Sequence, residues 1–298
     1  MSTYPKEIHI IEVGPRDGLQ NEKSILPTDV KVTFIKKLIA AGLKEIEVGS
    51  FVNPKWVPQM ADTEAVLKAL GLAPEGVTFV TLVPNEKGFE AALRCGIKKI
   101  AIFTAASEAF NQKNINCSIA ESIIRFTPVI ELAKKEGVAV RGYVSTAFSC
   151  PYSGDVSPDA VALVVQKLVD LGLTEISLGD TTGQAVPTMV AHLLERLIPK
   201  HGAGRFAMHF HDTYGAAFAN VVESMRLGIE HFDASAGGLG GCPYAPGASG
   251  NVATDDLVWL AERMGIKTHV QSLALREASL FMQDQLQKKL PARQLAVC

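Results

Sequence analysis

Short apolar, β-branched runs alternate with segments of helical period along the whole chain. Runs that read as strands lie at 8–14, 45–49, 77–82, 99–104, 138–146, 175–180, 206–211 and 231–236. Apolar positions recur at helical spacing over 28–41, 63–70, 86–95, 118–135, 158–171, 186–199, 216–227 and 254–264. The pattern predicts eight strand–helix units. The punctuation agrees with it. Gly42, Gly96, Gly137, Gly172 and Gly228 each follow the end of a helical segment, where left-handed backbone is favoured before the next strand. Pro158 and Pro187 stand in the first turn of their helices, where a missing N–H does least harm.

Eight units with polar groups at the ends of many different strands predict an α/β fold, a closed (β/α)8 TIM barrel rather than an open doubly wound sheet. Beyond the eighth unit, 272–290 keeps a helical period. It is expected to form an additional C-terminal helix that either covers the barrel or builds a subunit contact. No linker divides the sequence, so 1–298 is expected to be a single catalytic domain.

Composition narrows the function. A barrel of this kind typically needs ~250 residues, and 298 residues that are 47% hydrophobic can fill one. The formal charge of −2 gives no basic footprint, which argues against nucleic acid or an anionic membrane as partner. No uninterrupted apolar stretch approaches the roughly 18 residues of a membrane span. The five cysteines, Cys95, Cys117, Cys150, Cys242 and Cys298, show no paired spacing and read as free thiols of a reduced compartment. The opening MSTYPKEIHI resembles neither a secretory leader nor an Arg-rich presequence, so a cytoplasmic location is expected.

In such a barrel the chemistry lies where strands end and loops begin. The first strand ends in Glu12-Val-Gly-Pro-Arg16-Asp17-Gly18, which presents a cation and a carboxylate to the barrel mouth; the plainer alternative is a turn with a surface ion pair. The seventh carries Met208-His209-Phe210-His211-Asp212. Residues two apart on a strand share a face, so His209 and His211 converge. Imidazole suits first-row divalent metals, although two hydrogen-bonded core histidines would give the same spacing. After the eighth strand, six glycines and two prolines fall between Gly237 and Asn251, around a single Cys242. Such a loop can move and can bring its backbone close to a ligand. Asn251 can offer an amide oxygen to a metal or cap the next helix. Asp17, His209, His211 and Asn251 together suit Mg2+ or Mn2+ in a six-coordinate site. Glu47, inside the second strand, needs a partner if buried, and Arg16 is the natural one. Asp180 ends the sixth strand, and Glu12 could orient Arg16 or a metal ligand from behind.

The runs EVGPRDGLQNEK, EVGSFVNPKWVPQMAD, FHDTYG and GGLGGCPYAPGASGN resemble the 3-hydroxy-3-methylglutaryl-CoA lyase family, in family order and over nearly the full chain. The cysteine-bearing loop is specific to that family. The RDG and H-x-H elements are shared with other metal-dependent barrels that make or break bonds next to a carbonyl. The resemblance implies cleavage of 3-hydroxy-3-methylglutaryl-CoA to acetyl-CoA and acetoacetate. It also implies a metal at Asp17, His209, His211 and Asn251, and catalytic positions at Arg16, Glu47, Asp180 and Cys242. On that basis Arg16 is expected to stabilise the thioester oxyanion and Cys242 to protonate the enolate carbon. Asp180 is the first choice for the base, with His209 second because metal ligation compromises it. Acyl-CoA is the expected small-molecule partner, and a homodimer the expected assembly. Lys23, Asn53 and Lys55 lie on loops suited to CoA, and Cys298 resembles a terminal cysteine used in redox control. The rival readings are a condensing enzyme of the same fold, joining acetyl-CoA to a 2-oxo acid, and a non-catalytic acyl-CoA-binding barrel.

Overall fold

The computed structural model describes residues 4–241 and 250–297. Eight parallel strands close into a barrel: β1 (His9–Glu12), β2 (Glu45–Ser50), β3 (Thr78–Leu82), β4 (Lys99–Ala105), β5 (Ala139–Ser145), β8 (Glu175–Asp180), β9 (Phe206–Phe210) and β10 (His231–Ala234). β1 pairs with both β2 and β10 and closes the ring. Helices α1 (Thr28–Ala40), α2 (Thr63–Leu70), α3 (Glu86–Arg94), α5 (Ile119–Lys135), α6 (Pro158–Asp170), α7 (Pro187–His201), α8 (Ala217–Arg226) and α9 (Thr254–Arg263) follow the eight strands. The eight units and the closed barrel agree with the sequence pattern. The reason is that strands buried on both faces read as continuous apolar runs, while the outer helices bury one stripe only. The five glycines that follow helices take positive φ, from 65° at Gly137 to 97° at Gly42.

The departures sit in the connections, mostly at the mouth of the barrel. β1 stops at Glu12, short of the expected end at residue 14. The chain then makes a single π-type turn over Gly14–Gly18, in which Val13 O accepts from Arg16 N at 3.1 Å and Gly18 N at 3.2 Å. Such turns recur at functional sites, because the extra residue re-aims neighbouring side chains. Close approach requires glycine at both of its ends. A Cβ on Gly14 would lie 2.5 Å from Glu12 Oε1, and one on Gly18 would lie 2.8 Å from Leu239 Cβ. A helix not expected from the sequence, α4 (Glu108–Ile115), stands between β4 and α5, capped by the Ser107 hydroxyl. A two-stranded hairpin, β6 (Ser149–Cys150) and β7 (Gly154–Asp155), rises after β5. The hairpin is too short for a periodicity to reveal it, and α4, whose buried residues are Phe110 and Asn111, carries no apolar stripe.

The expected helix at 272–290 ends sooner, as α10 (Ser272–Leu286), and packs along α1 and against the turn at Ala236–Gly238. The tail then folds back. Leu290 is buried against Gly237, whose carbonyl accepts from Ala292 N at 3.1 Å. Asp256 accepts from Arg293 N and Gln294 N at the start of a last helix, α11 (Arg293–Ala296). The extension therefore clamps the base of the glycine-rich loop. No helix among the described residues is long and apolar enough to cross a membrane.

Candidate active site

The polar strand ends converge at the C-terminal mouth of the barrel, on a cleft of about 740 Å3. Arg16, Asp17, His209 and His211 line its floor, and Val52, Leu82, Phe103 and Phe110 form apolar walls. Asn53 and the exposed Trp56 stand at the rim. Of the three residues on loops suited to CoA, Asn53 lines the cleft, whereas Lys23 and Lys55 do not.

One ligand atom each from Asp17, His209 and His211 lies within 4.8 Å of the others. β9 aims the two imidazoles, whose ring centroids are 5.4 Å apart. Segment 250–253 is drawn in beside them: Asp212 N donates to Gly250 O at 2.8 Å, and Val252 N donates to Phe210 O at 2.9 Å. This pairing places Asn251 opposite His211. Asn251 does not cap α9; its Nδ2 donates to Asp17 Oδ2 at 2.8 Å and to Leu239 O at 3.2 Å.

Asn251 Oδ1 is buried here without a partner. An amide oxygen left bare beside a carboxylate is unfavourable unless something positive meets it. Burial pushes His211 down to about 4, helped by the neighbouring His209, so its ring is neutral at physiological pH. Burial works against ionisation of Asp17 too, but Arg16 and the two imidazoles outweigh it and hold the carboxyl at about 2. One carboxylate oxygen, two imidazole nitrogens and one amide oxygen fit a divalent cation that favours mixed O/N ligands.

Arg16 is buried beside this cluster. Its Nη1 lies 2.5 Å from Asp17 Oδ1 and its Nη2 lies 2.7 Å from Glu47 Oε2. The pair is therefore interior, not a surface bridge. The guanidinium also stands over the Tyr143 ring, 5.5 Å from its centroid, and its Nε has no partner. Glu47 is fully buried, and burial outweighs Arg16 and raises its pKa.

Glu12 acts on Arg16 only indirectly, through the backbone. Its carboxylate accepts from Gly14 N at 2.8 Å, Ala236 N at 2.9 Å and the Thr254 hydroxyl at 2.7 Å. It pins the turn that carries Arg16, through Gly14 N, and ties it to the end of β10 and the start of α9. Asp180 is buried at the end of β8, where Oδ2 accepts from Ala185 N at 3.2 Å while Oδ1 has no partner. Burial outweighs those backbone donors and lifts its pKa to about 7. Its neighbours Gly179 and Thr181 line the cleft, whereas Asp180 does not. Cys242 and Cys298 lie outside the described residues.

Sequence reasoning missed Arg141 and Tyr143 on β5, Ser177 on β8 and Asp233 on β10. With residues already in view they make a chain of contacts across the barrel interior. His209 Nδ1 faces Asp233 Oδ2 at 3.2 Å, and Asp233 Oδ1 meets Arg141 Nη2 at 2.8 Å. Arg141 Nη1 donates to Tyr143 Oη at 3.3 Å, and Tyr143 Oη donates to Glu47 Oε2 at 3.0 Å, next to Arg16. Arg141 and Tyr143 are two apart on one strand, the same signal that exposed the histidine pair.

A closed barrel whose mouth joins an acid–imidazole cluster to a buried guanidinium defines a class: barrel enzymes with a divalent-metal site at the mouth. Within it, the chain belongs to the HMGL-like family, whose profile matches residues 7–282. It is 52% identical over 274 residues to a 3-hydroxy-3-isohexenylglutaryl-CoA/hydroxy-methylglutaryl-CoA lyase of Pseudomonas aeruginosa, covering 92% of this chain and 91% of the relative. The solved HMG-CoA lyase of Bacillus subtilis superposes with a TM-score of 0.97 at 47% identity, covering 99% of this chain and 98% of that one. An HMG-CoA lyase of Acinetobacter baumannii, solved with coenzyme A and 3-methylmalate, superposes with a TM-score of 0.94 at 35% identity, covering 100% and 97%.

Proposed function

We propose that this chain is a divalent-metal-dependent carbon–carbon lyase that cleaves 3-hydroxy-3-methylglutaryl-CoA to acetyl-CoA and acetoacetate. One observation carries the reading: Asp17, held by Arg16 on one oxygen, offers the other to the group containing His209, His211 and Asn251. The full-length similarity to lyases of that name supports it.

Asp17, His209, His211 and Asn251 would hold the cation, with Mg2+ or Mn2+ as the proposed ion. When bound, such an ion polarises the substrate's hydroxyl and carboxylate oxygens and lowers the hydroxyl pKa. The remaining work falls to side chains. In the reaction a base takes the tertiary hydroxyl proton, and the electron pair left on the oxygen forms the second C–O bond of the acetoacetate ketone as the C–C bond breaks. The electron pair of the broken C–C bond passes into the thioester as an enolate, which takes a proton to give acetyl-CoA. Arg16 keeps its charge at any working pH and lies at the floor of the cleft, suited to stabilise the enolate oxygen. Glu47 holds the guanidinium in place. Asp180 is the proposed proton acceptor: its pKa of about 7 matches proton transfer near neutrality, and because it lies buried behind Gly179 and Thr181 it would receive the proton through an intervening group. His209 is set aside for that step because its ring nitrogen is engaged in holding the cation. Cys242 on the glycine-rich loop is the proposed acid for the enolate carbon. The thiols described at Cys95, Cys117 and Cys150 are free, which supports a reducing, cytoplasmic setting. A homodimer is proposed, with the outer face of α10, where Leu273 is exposed, as its contact.

The test is a product assay on purified protein. Incubation with 3-hydroxy-3-methylglutaryl-CoA is expected to release acetoacetate, to lose that activity in EDTA, and to regain it on adding Mg2+. EDTA-resistant cleavage would refute the metal. Condensation of acetyl-CoA with pyruvate or 2-oxoglutarate, without cleavage, would replace the lyase with a synthase.

A further inference from the structure

The carboxylate of Asp233 is fully buried on β10 and belongs to none of the roles above. Its Oδ1 meets Arg141 Nη2 at 2.8 Å, and its Oδ2 accepts from the Ser177 hydroxyl at 2.7 Å. Arg141 is itself tied to Glu175 through Nε at 2.8 Å. Asp233 is thus fixed from two strands beyond its neighbours, β5 and β8, and its Oδ2 faces His209 Nδ1 at 3.2 Å.

An ionised carboxylate can only accept, so the nitrogen facing it has to carry a proton. In a neutral imidazole the other nitrogen then holds the lone pair. For His209 that nitrogen is Nε2, the one turned toward Asp17, 4.0 Å from its Oδ2. The opposite tautomer would set a lone pair against a carboxylate in a buried place and point an N–H at the cluster.

We propose that Asp233 is the positioning residue for His209, fixing its ring as the Nδ1–H tautomer with the Nε2 lone pair aimed into the cleft. The proposal rests on the reading of His209 as a group that holds the cation. Arg141 and Ser177 are the supports that keep Asp233 from turning away. Carboxylate partners of this kind set both the orientation and the basicity of a metal-binding imidazole.

The tautomer can be read without any metal. In apoprotein labelled with [15N]histidine, at a pH where the ring is neutral, long-range 1H–15N correlation is expected to show His209 protonated at Nδ1. His209→Gln identifies the resonance. A ring protonated at Nε2 would overturn the proposal. Asp233→Asn offers an amide N–H to the ring, so it is expected to switch His209 to the Nε2–H form. Calorimetric Mn2+ affinity is expected to fall about 10–100-fold with it. A folded Asp233→Asn protein unchanged in both tautomer and affinity would also overturn the proposal. If that variant does not fold, the wild-type tautomer still decides. Wild-type protein that shows Nδ1–H yet binds no Mn2+ would strike the metal reading and leave the Asp233 assignment standing.

Discussion

Arg16→Gln lowers kcat by about 10²–10³-fold, the range expected when one donor to a developing oxyanion is removed. KM should move far less, because the interaction is strongest after charge has reached the thioester oxygen. The structure makes the substitution informative. Glutamine keeps a polar reach but cannot hold Asp17 and Glu47 at once, as the guanidinium does through separate nitrogens. Glu47 would then be a buried carboxylate without its cation, so it should take up a proton and the fold should lose some stability. A melting curve beside the kinetics separates this loss from the catalytic one. Near-normal turnover in a folded Arg16→Gln protein would remove Arg16 from the oxyanion role.

The second large effect concerns the cation. Asp17→Asn and His211→Ala are each expected to weaken Mn2+ binding by at least about 100-fold, more than the loss of an outer supporting group. Asp17 supplies the cluster's negative charge, and His211 supplies one of its two imidazoles. The direction with pH follows from the same site. Asp17, held at about 2, and His211, held at about 4, are already deprotonated at neutrality. His209 is the exception: burial lowers its pKa, but Asp233 and Asp17 outweigh that and raise it. A metal-binding ring must be unprotonated, so Mn2+ affinity should rise with pH as His209 gives up its proton. Calorimetry on apoprotein at several pH values checks both points. Unchanged affinity in both variants would discard the ligand set.

How far the sequence revealed this site depended on the kind of signal. The barrel was legible because a strand buried on both faces and an outer helix buried on one leave different periods. His209 and His211 were legible because two-residue spacing fixes a common face. Asp17 was legible only as an acid following the first strand, and Asn251 only as an amide closing the glycine-rich loop. Their meeting, through the Asn251 amide and the pairing of 250–253 with the end of β9, is a contact between residues 234 positions apart that no local pattern encodes. How Glu12 acts was not legible, because two of its three partners, Ala236 and Thr254, come from the other end of the chain. Asp233 was passed over because a single acid in the eighth strand looks like any buried carboxylate until the histidine beside it is placed. The β6–β7 hairpin carries too few residues for a period to emerge, and α4, as short as α2, lacks the apolar stripe that revealed α2.

The central claim is that one ion gathers Asp17, His209, His211 and Asn251. Electron spin-echo spectroscopy of Mn2+-loaded protein, with histidine nitrogens as 14N and then as 15N, tests it most directly. Two imidazole nitrogens bound to the same Mn2+ are predicted, with one lost in His211→Ala. An ion that couples to no histidine nitrogen would contradict the account.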